Sequence, residues 1–299
     1  ISIMIVGIVS WQSQLLGTEE LKSHAVSLSK KIMIIDAYID LPYRLKESWE
    51  DVGSDAPGGH FDFPRAVKGG LNALFAAVFV PWENEKKGDA KAVADQQIDM
   101  LNGIIQKHPE KFARALSPND LLLNFKKGMI SMPFGIENGA PLEGKLENVQ
   151  YYFDRGIRYI TLCHSRDNHI CDSSFDRSRT WKGLSPFGKK LIPRMNSVGM
   201  LIDVSHVSDD AFWQVIELSR VPVIATHSGC RHFTPGFERN MSDRMIRKLA
   251  EKGGVIHINF GSFFLETNYQ KIGRKMWQNL SAYKSKHKLG WQDKQMRAY

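Results

Sequence analysis

The sequence of 299 residues lacks several features that define particular structural classes. It has only three cysteines, Cys163, Cys171 and Cys230, an odd number with no CxxC spacing. A disulfide framework and a zinc ribbon are therefore excluded, and we expect buried free thiols. No Pro- or Ser-rich linker divides the chain. With 42% hydrophobic and 24% charged residues, the composition excludes disordered, collagenous and coiled-coil proteins and predicts a globular protein with a substantial core.

The basic residues of the chain do not form a strong cluster in the sequence. The formal net charge is +8, from 40 Lys and Arg against 32 Asp and Glu. The basic residues are scattered between apolar runs, apart from a loose cluster near the C-terminal end. A basic balance alone supports only solubility and weak non-specific attraction, so we expect no nucleic-acid partner.

The N-terminal residues 1–9 form a short apolar run. A bilayer span needs about 20 apolar residues, whereas the core of a signal peptide has about 7–15. We interpret residues 1–17 as the remnant of a signal peptide and expect export to a bacterial periplasm or the extracellular space. The alternative is an N-terminal strand or a buried helical turn. No other stretch is apolar enough to predict a transmembrane segment.

Short apolar runs alternate with longer segments of helical period, which is typical of β–α units around a parallel sheet. A long amphipathic helix is predicted at 88–108, and Ser117, Ser208 and Ser242 are placed to cap helices. Seven strands are predicted, at 32–35, 71–80, 129–136, 159–162, 201–204, 221–225 and 255–259. Together these units predict an α/β fold, a TIM-type (β/α)8 barrel. Because no eighth strand is visible, we expect residues 18–299 to form a single incomplete (β/α)8 domain that lacks its last β/α unit or units.

Polar side chains follow these apolar runs at their C-terminal ends, where a parallel barrel has its active site. His206 and His227 stand out because they occupy equivalent positions after consecutive strands. Two imidazoles at adjacent strand ends can bind one zinc ion, and Glu137 can complete that site or bridge to a second ion. Asp40 has a second interpretation as a turn residue before Leu-Pro. The strand-end residues are Asp36, Asp40, Glu137, His164, His206, His227 and Asn259. The remaining candidates, His60, His108, His169, His232 and His257, are expected to be hydrogen-bonded structural histidines.

Several separated motifs carry a family resemblance across most of the chain. They are IIDAYIDLP at 34–42, the stretch 63–81, GIENG at 135–139, YITLCH at 159–164, IDVSHVS at 202–208, THS at 226–228, RN at 239–240 and INF at 258–260. In this order they resemble the membrane (renal) dipeptidases, peptidase family M19, which are barrel-shaped zinc enzymes. Residues 261–264 resemble the exported bacterial branch of the family.

The resemblance implies a dipeptidase with two zinc ions. It implies that Glu137 bridges the ions, that His206 and His227 bind one of them, and that Asp40 binds the other. His164 would orient or polarise the scissile carbonyl, and Arg239 would bind the substrate carboxylate with its planar guanidinium. The ions would lower the pKa of a shared water from about 15.7 to near 7, so that hydroxide attacks the peptide bond.

Two features depart from the family pattern. Tyr38 stands where the family has His, and a neutral phenol with a pKa of about 10 is a poor zinc ligand unless the metal ionises it. The family's eighth strand, with its Gly-x-Gly-x-Asp-Phe-Asp-Gly pattern, does not occur before Tyr299.

Three functional hypotheses therefore stay open. The first is a zinc-dependent dipeptidase active in proteolysis, and the second is a degenerate or truncated relative that binds one zinc ion with little or no hydrolase activity. The third is a non-catalytic or unstable product, because an open barrel exposes unpaired strand edges. The sequence leaves open the preferred dipeptide, the acceptance of D-residues or β-lactams, and the formation of a homodimer.

Overall fold

The computed structural model describes residues 18–289, and in this range nine strands form one sheet in which every strand pair is parallel. The sheet order is β3-β4-β2-β5-β6-β7-β8-β9, and β1 pairs with β2. The fold is the TIM-barrel-like α/β fold that the sequence predicts. The strands are β1 (Ile34–Ile39), β2 (Leu71–Phe79), β3 (Phe112–Arg114), β4 (Ile130–Met132), β5 (Phe134–Glu137), β6 (Ile157–Thr161), β7 (Leu201–Asp203), β8 (Ile224–Ser228) and β9 (Val255–Ile258).

Helices separate most of the strands, and several begin where the sequence predicts. Ser117, Ser208 and Ser242 each accept a hydrogen bond from the backbone three residues on, and Ser117 forms a capping box with Asp120. In the described range, the α-helices are α1 (Thr18–Ser29), α2 (Leu41–Glu47), α3 (Phe63–Gly69), α4 (Trp82–Lys87), α5 (Ala90–Lys107), α6 (Pro118–Lys126), α7 (Glu147–Asp154), α8 (Pro186–Val198), α9 (Asp209–Leu218), α10 (Asp243–Glu251), α11 (Ser262–Leu265) and α12 (Thr267–His287). Short 3-10 helices lie at Ala140–Leu142 and Arg231–Phe233.

The core lies on both faces of the sheet, as expected for parallel strands covered by helices. In β2, Leu74 and Val78 are fully buried together with the alanines between them. Gly135 of β5 pairs with Tyr159 of β6, and a Cβ at Gly135 would lie 2.1 Å from the ring of Tyr159. The absence of a side chain at Gly135 therefore makes room for a large ring between two central strands.

Several expectations about the strands need correction. Asp36 does not follow the first strand but lies inside β1, because β1 continues to Ile39. The predicted strand at 129–136 is divided into β4 and β5 at Pro133, which has no N–H to donate to a neighbour. β3 was not predicted, and among the strands of residues 18–289 it pairs only with β4.

One side of the sheet is open in the described part of the chain. Within residues 18–289, β9 pairs only with β8, and β1 pairs only with β2. Val255 and Ile258 of β9 and the adjacent Phe260 are exposed.

The predicted signal-peptide remnant at 1–17 lies outside the described residues, so export stays a prediction. None of the helices within residues 18–289 combines the length and the apolar character needed to cross a bilayer. The cysteines are free thiols as expected, although Cys230 is only partly buried.

Candidate metal centre

Three predicted residues meet at the C-terminal end of the parallel strands. Glu137 is the last residue of β5, His227 lies in β8, and His206 follows β7. The Nε2 atoms of both histidines lie 3.0 Å from Glu137 Oε1 and 2.9 Å from each other. All three side chains are buried. The structure thus brings together the two imidazoles and the acid that the sequence singles out.

Unusual backbone conformations position two parts of this site. His206 and Asn138 both have a φ of 71°, in the left-handed region that non-glycine residues rarely adopt. The Asn138 amide donates to Val80 O over 2.8 Å and accepts from the side chain of Asn168 over 2.9 Å. Such strain persists where the surroundings hold it, commonly at functional sites. Asn138 lies in the GIENG motif but was not predicted as a site residue, nor was Asn168, although the tolerance of Asn for this conformation is a usable signal.

A hydrogen-bonded relay orients His227. Thr226 Oγ1 donates to Asp203 Oδ2 over 2.7 Å and lies 2.8 Å from His227 Nδ1. Because its single proton is directed to Asp203, Thr226 Oγ1 must accept from His227 Nδ1–H. The Nε2 lone pair of a neutral His227 then faces Glu137 Oε1 and His206 Nε2, an arrangement that requires a proton or a cation between these atoms.

The local charges favour the protonation states that metal ligands need. Burial opposes ionisation of Glu137, but the nearby imidazoles of His164 and His206 outweigh it and hold the pKa of that carboxyl well below its usual value. Burial, together with the charge of Arg239, holds the pKa of His206 well below that of an ordinary imidazole. An anionic carboxylate beside neutral imidazoles is the form in which these groups bind metal ions.

Tyr38 contacts the carboxylate from its other side. The Tyr38 hydroxyl donates to Glu137 Oε2 over 2.6 Å, and the Tyr38 ring stacks on His227 with centroids 4.0 Å apart. Burial and the neighbouring acids Glu137 and Asp40 raise the pKa of Tyr38 well above 10. Burial and the charges of Glu137 and Glu47 raise the pKa of Asp40 to about 8.

His164 lies at the edge of the cluster. Its Nε2 atom is 3.9 Å from Glu137 Oε1, and 28% of its side chain is exposed. Glu137, His164 and His206 offer ligand atoms that all lie within 4.8 Å of one another, a group that could hold a metal ion. His227 is closer to Glu137 than His164 is, so we place His227 among the ligands and leave His164 facing the open side of the site.

Arg239 is buried beside the cluster. Its guanidinium donates to His227 O over 2.6 Å and to Ser228 Oγ over 2.9 Å, while its buried Nε has no hydrogen-bond partner. Burial lowers the pKa of Arg239 to about 10, so the side chain stays charged at neutral pH. Arg239, which is predicted to bind the substrate carboxylate, therefore lies next to the predicted metal ligands.

The donor set formed by Glu137, His206 and His227 fits one zinc ion. Imidazole nitrogen and carboxylate oxygen are ordinary zinc ligands, and tetrahedral ligands at about 2.0–2.1 Å from zinc lie roughly 3.3 Å apart. The observed separations of 2.9 and 3.0 Å need only small side-chain movements to reach that value. A second set around Asp40 and Tyr38 fits less well, because Tyr38 contributes a phenol and already occupies Glu137 Oε2.

The barrel-like fold and its carboxylate–imidazole cluster agree with a match to known metallopeptidases. Residues 22–289 match the family of membrane dipeptidases, peptidase family M19. The chain therefore belongs to this family of metallo-dipeptidases.

Two curated relatives are longer than this chain. An uncharacterized dipeptidase of Schizosaccharomyces pombe is 28% identical over 263 residues, which are 83% of this chain and 64% of the relative. Dipeptidase tcpJ of Claviceps purpurea is 31% identical over 209 residues, which are 68% of this chain and 49% of the relative. The chain thus spans less than two thirds of the length of either relative.

Solved structures share the fold. The probable dipeptidase PvdM from Pseudomonas aeruginosa superposes with a TM-score of 0.78 at 27% identity, over 91% of this chain and 70% of that one. A metallo peptidase from Rhodobacter sphaeroides, liganded with a phosphinate mimic of the dipeptide L-Ala-D-Ala, gives 0.72 at 23% identity, over 79% of this chain and 76% of that one. At that identity the second likeness supports the fold alone.

Proposed function

We propose that this protein hydrolyses dipeptides in a metal-dependent reaction, with zinc held by Glu137, His206 and His227. The observation that carries the proposal is the convergence of the three ligand atoms within 3.0 Å of one another, beneath the partly exposed His164. A bound zinc ion would lower the pKa of a water molecule and polarise the scissile carbonyl. Membership in a metallo-dipeptidase family supports this choice of reaction.

His164 and Arg239 have distinct roles in the proposal. Burial lowers the pKa of His164, so its imidazole is neutral at neutral pH and can donate one N–H to the oxyanion. Removing one such donor typically costs about 2.7–4 kcal/mol of transition-state stabilisation. Arg239 would bind the substrate carboxylate, for which its unpartnered Nε supplies one donor. A single positive group at a fixed distance from the scissile bond would favour a dipeptide over a longer peptide.

The test is turnover of a panel of dipeptides by the zinc-loaded protein, measured as release of free amino acids. We expect turnover by the unaltered chain, none by His227→Ala, and unchanged turnover by His232→Ala. His232 is an exposed histidine whose ring contacts Phe233, outside the cluster, so it is a matched control. Zinc-loaded protein that releases no amino acids from any dipeptide of the panel would refute the proposal.

A second candidate function is metal binding with little or no hydrolysis. The observation that favours it is the Tyr38 hydroxyl, which donates to Glu137 from the position where the family resemblance implies an imidazole ligand. In that case zinc would bind without dipeptide turnover, and Tyr38→His would raise the rate.

A further inference from the structure

We propose that this metal centre is mononuclear, and that Tyr38 is a positioning residue that directs one oxygen of Glu137 to the metal and withdraws the other. The inference rests on the metal binding in the proposed function. It concerns the number of ions, which can be measured independently of any reaction.

The two oxygens of Glu137 have different partners. Oε1 faces the imidazoles of His206 and His227 at 3.0 Å each, whereas Oε2 accepts a hydrogen bond from the Tyr38 hydroxyl at 2.6 Å. A carboxylate that bridges two ions gives one oxygen to each of them. Here the second oxygen is already bonded to a donor, so Glu137 is arranged to serve one ion.

The phenol of Tyr38 is held in this position from several sides. Its ring stacks on His227 with a centroid separation of 4.0 Å and an interplanar angle of 27°. Its backbone N–H donates to Asp36 Oδ1 over 3.0 Å, within β1. A movement of the hydroxyl away from Glu137 would break the stacking on a ligand of the first ion. Tyr38 therefore supports the His227 ring and occupies the carboxylate at the same time.

The residues beside Tyr38 do not make a second site. Asp40 is the remaining predicted ligand there, and its buried Oδ1 has no hydrogen-bond partner. Within residues 18–289, the group of acids, histidines and cysteines close enough to hold an ion contains Glu137, His164 and His206, and Asp40 is not part of it. A second zinc ion at Asp40 would have one carboxylate and a phenol as protein ligands, fewer than the three that zinc sites usually have.

The experiment is the stoichiometry of zinc binding. The metal-free chain is titrated with zinc chloride against a chromophoric chelator, and the zinc that remains after desalting is counted by mass spectrometry. We expect one ion per chain for the unaltered protein and for Tyr38→Phe. Tyr38→His frees Glu137 Oε2 and adds an imidazole beside Asp40, so we expect two ions per chain.

The count of ions on the unaltered protein does not depend on the folding of any variant. Two ions per unaltered chain, or a Tyr38→His chain that still binds one ion, would overturn the inference.

The outcomes separate this inference from the proposed function. Two ions with dipeptide turnover contradict only the mononuclear centre. One ion without turnover supports the mononuclear centre and contradicts the dipeptidase function. A chain that binds no zinc contradicts both.

Discussion

Thr226 determines which nitrogen of His227 is available at the proposed metal centre. Its hydroxyl lies between Asp203 and His227 Nδ1, with oxygen–oxygen and oxygen–nitrogen separations of 2.7 and 2.8 Å. Groups that orient a ligating histidine in this way contribute about 10–100-fold to metal affinity. The Thr226 hydroxyl would therefore affect metal affinity by orienting His227, although it is not itself a proposed ligand.

The substitution Thr226→Val tests this role. We expect zinc affinity to fall by about 10–100-fold, because the imidazole loses the acceptor that fixes its tautomer. The matched control is Thr161→Val, since Thr161 also donates to Asp203 but makes no bond to the imidazole. Competition titration with a chelator gives both dissociation constants. Equal weakening by the two variants would show that Thr226 has no orienting role.

Asp51 gives a prediction about pH. A hydrogen bond from Lys107, with further bonds from His108 and Gly53, lowers the pKa of Asp51 to about 2. Because this pKa is below that of the unfolded chain, the ionised form stabilises the fold above about pH 4, and the contribution is lost as the pH falls towards 2. Asp51 is partly exposed, so solvent screening reduces the stabilisation to about 1 kcal/mol.

Urea unfolding of Asp51→Asn at several pH values checks this expectation. The variant should be about 1 kcal/mol less stable than the unaltered chain at pH 7, and the difference should vanish near pH 2. Asp55→Asn, at an exposed position of the same loop, is the control and should change little. A deficit for Asp51→Asn that persists unchanged at low pH would contradict the assignment.

The sequence could predict that Glu137, His206 and His227 meet, because each comes at or near the C-terminal end of an apolar run and those ends share one face of a parallel sheet. It could not predict the relay of Asp203 and Thr226. A carboxylate and a hydroxyl inside a strand are equally compatible with an ordinary buried hydrogen bond, and only the register of β7 and β8 places them behind an imidazole. The role of Tyr38 as a donor to Glu137 likewise depends on a distance that no spacing encodes.

At the scale of single elements, the packing of β5 against β6 depends on the absence of a Cβ at Gly135. A Cβ at Gly135 would lie 2.1 Å from the Tyr159 ring, and both strands are central in the sheet. Since Glu137 ends β5, any displacement of that strand also moves the metal ligand.

We predict that Gly135→Ala destabilises the protein by about 1–3 kcal/mol, the usual cost of inserting a group into a packed core. The control is Gly103→Ala in α5, where a Cβ meets nothing within 4 Å and should stabilise the helix by about 0.5–1 kcal/mol. Chemical unfolding of both variants measures the difference. A Gly135→Ala variant as stable as the unaltered chain would contradict the packing described for these strands.

The elements show where a sequence pattern is informative and where it is not. The long helix α5 was predicted because its apolar period extends over several turns. The helices that follow Ser117, Ser208 and Ser242 were predicted from these capping residues. The three-residue strand β3 is too short to carry a pattern. The break at Pro133 was missed because the apolar character continues through it, although proline cannot donate to a ladder.

Over the whole molecule, the proposed metal centre joins distant parts of the chain, because its proposed ligands come from positions 137, 206 and 227. An ion that binds only the folded chain stabilises it by about 2.7 kcal/mol when its concentration is 100 times the dissociation constant. The repeated β–α pattern was enough to predict the barrel-like architecture that creates this meeting point.

Removal of zinc by a chelator should therefore lower the midpoint of thermal unfolding, and added zinc should restore it. His206→Ala should abolish the response to zinc, while His232→Ala, at an exposed position, should keep it. Scanning calorimetry with and without chelator makes the comparison. A midpoint that does not respond to zinc would mean that the three ligands do not hold an ion in the folded state.

The outer side of β9, which pairs with no other strand of residues 18–289, is where we expect the sheet to open first. Within residues 18–289, amide hydrogens on that side have no neighbouring strand, so deuterium uptake should be fastest in β9 and slower in β8 and β7. Of the three proposed ligands, His227 in β8 is therefore nearest to β9 in the sheet order, and Glu137 in β5 is farthest from it. Partial opening of β9 and β8 would displace the His227 imidazole first and leave the Glu137 carboxylate in place, so we expect a bound ion to be lost early in unfolding.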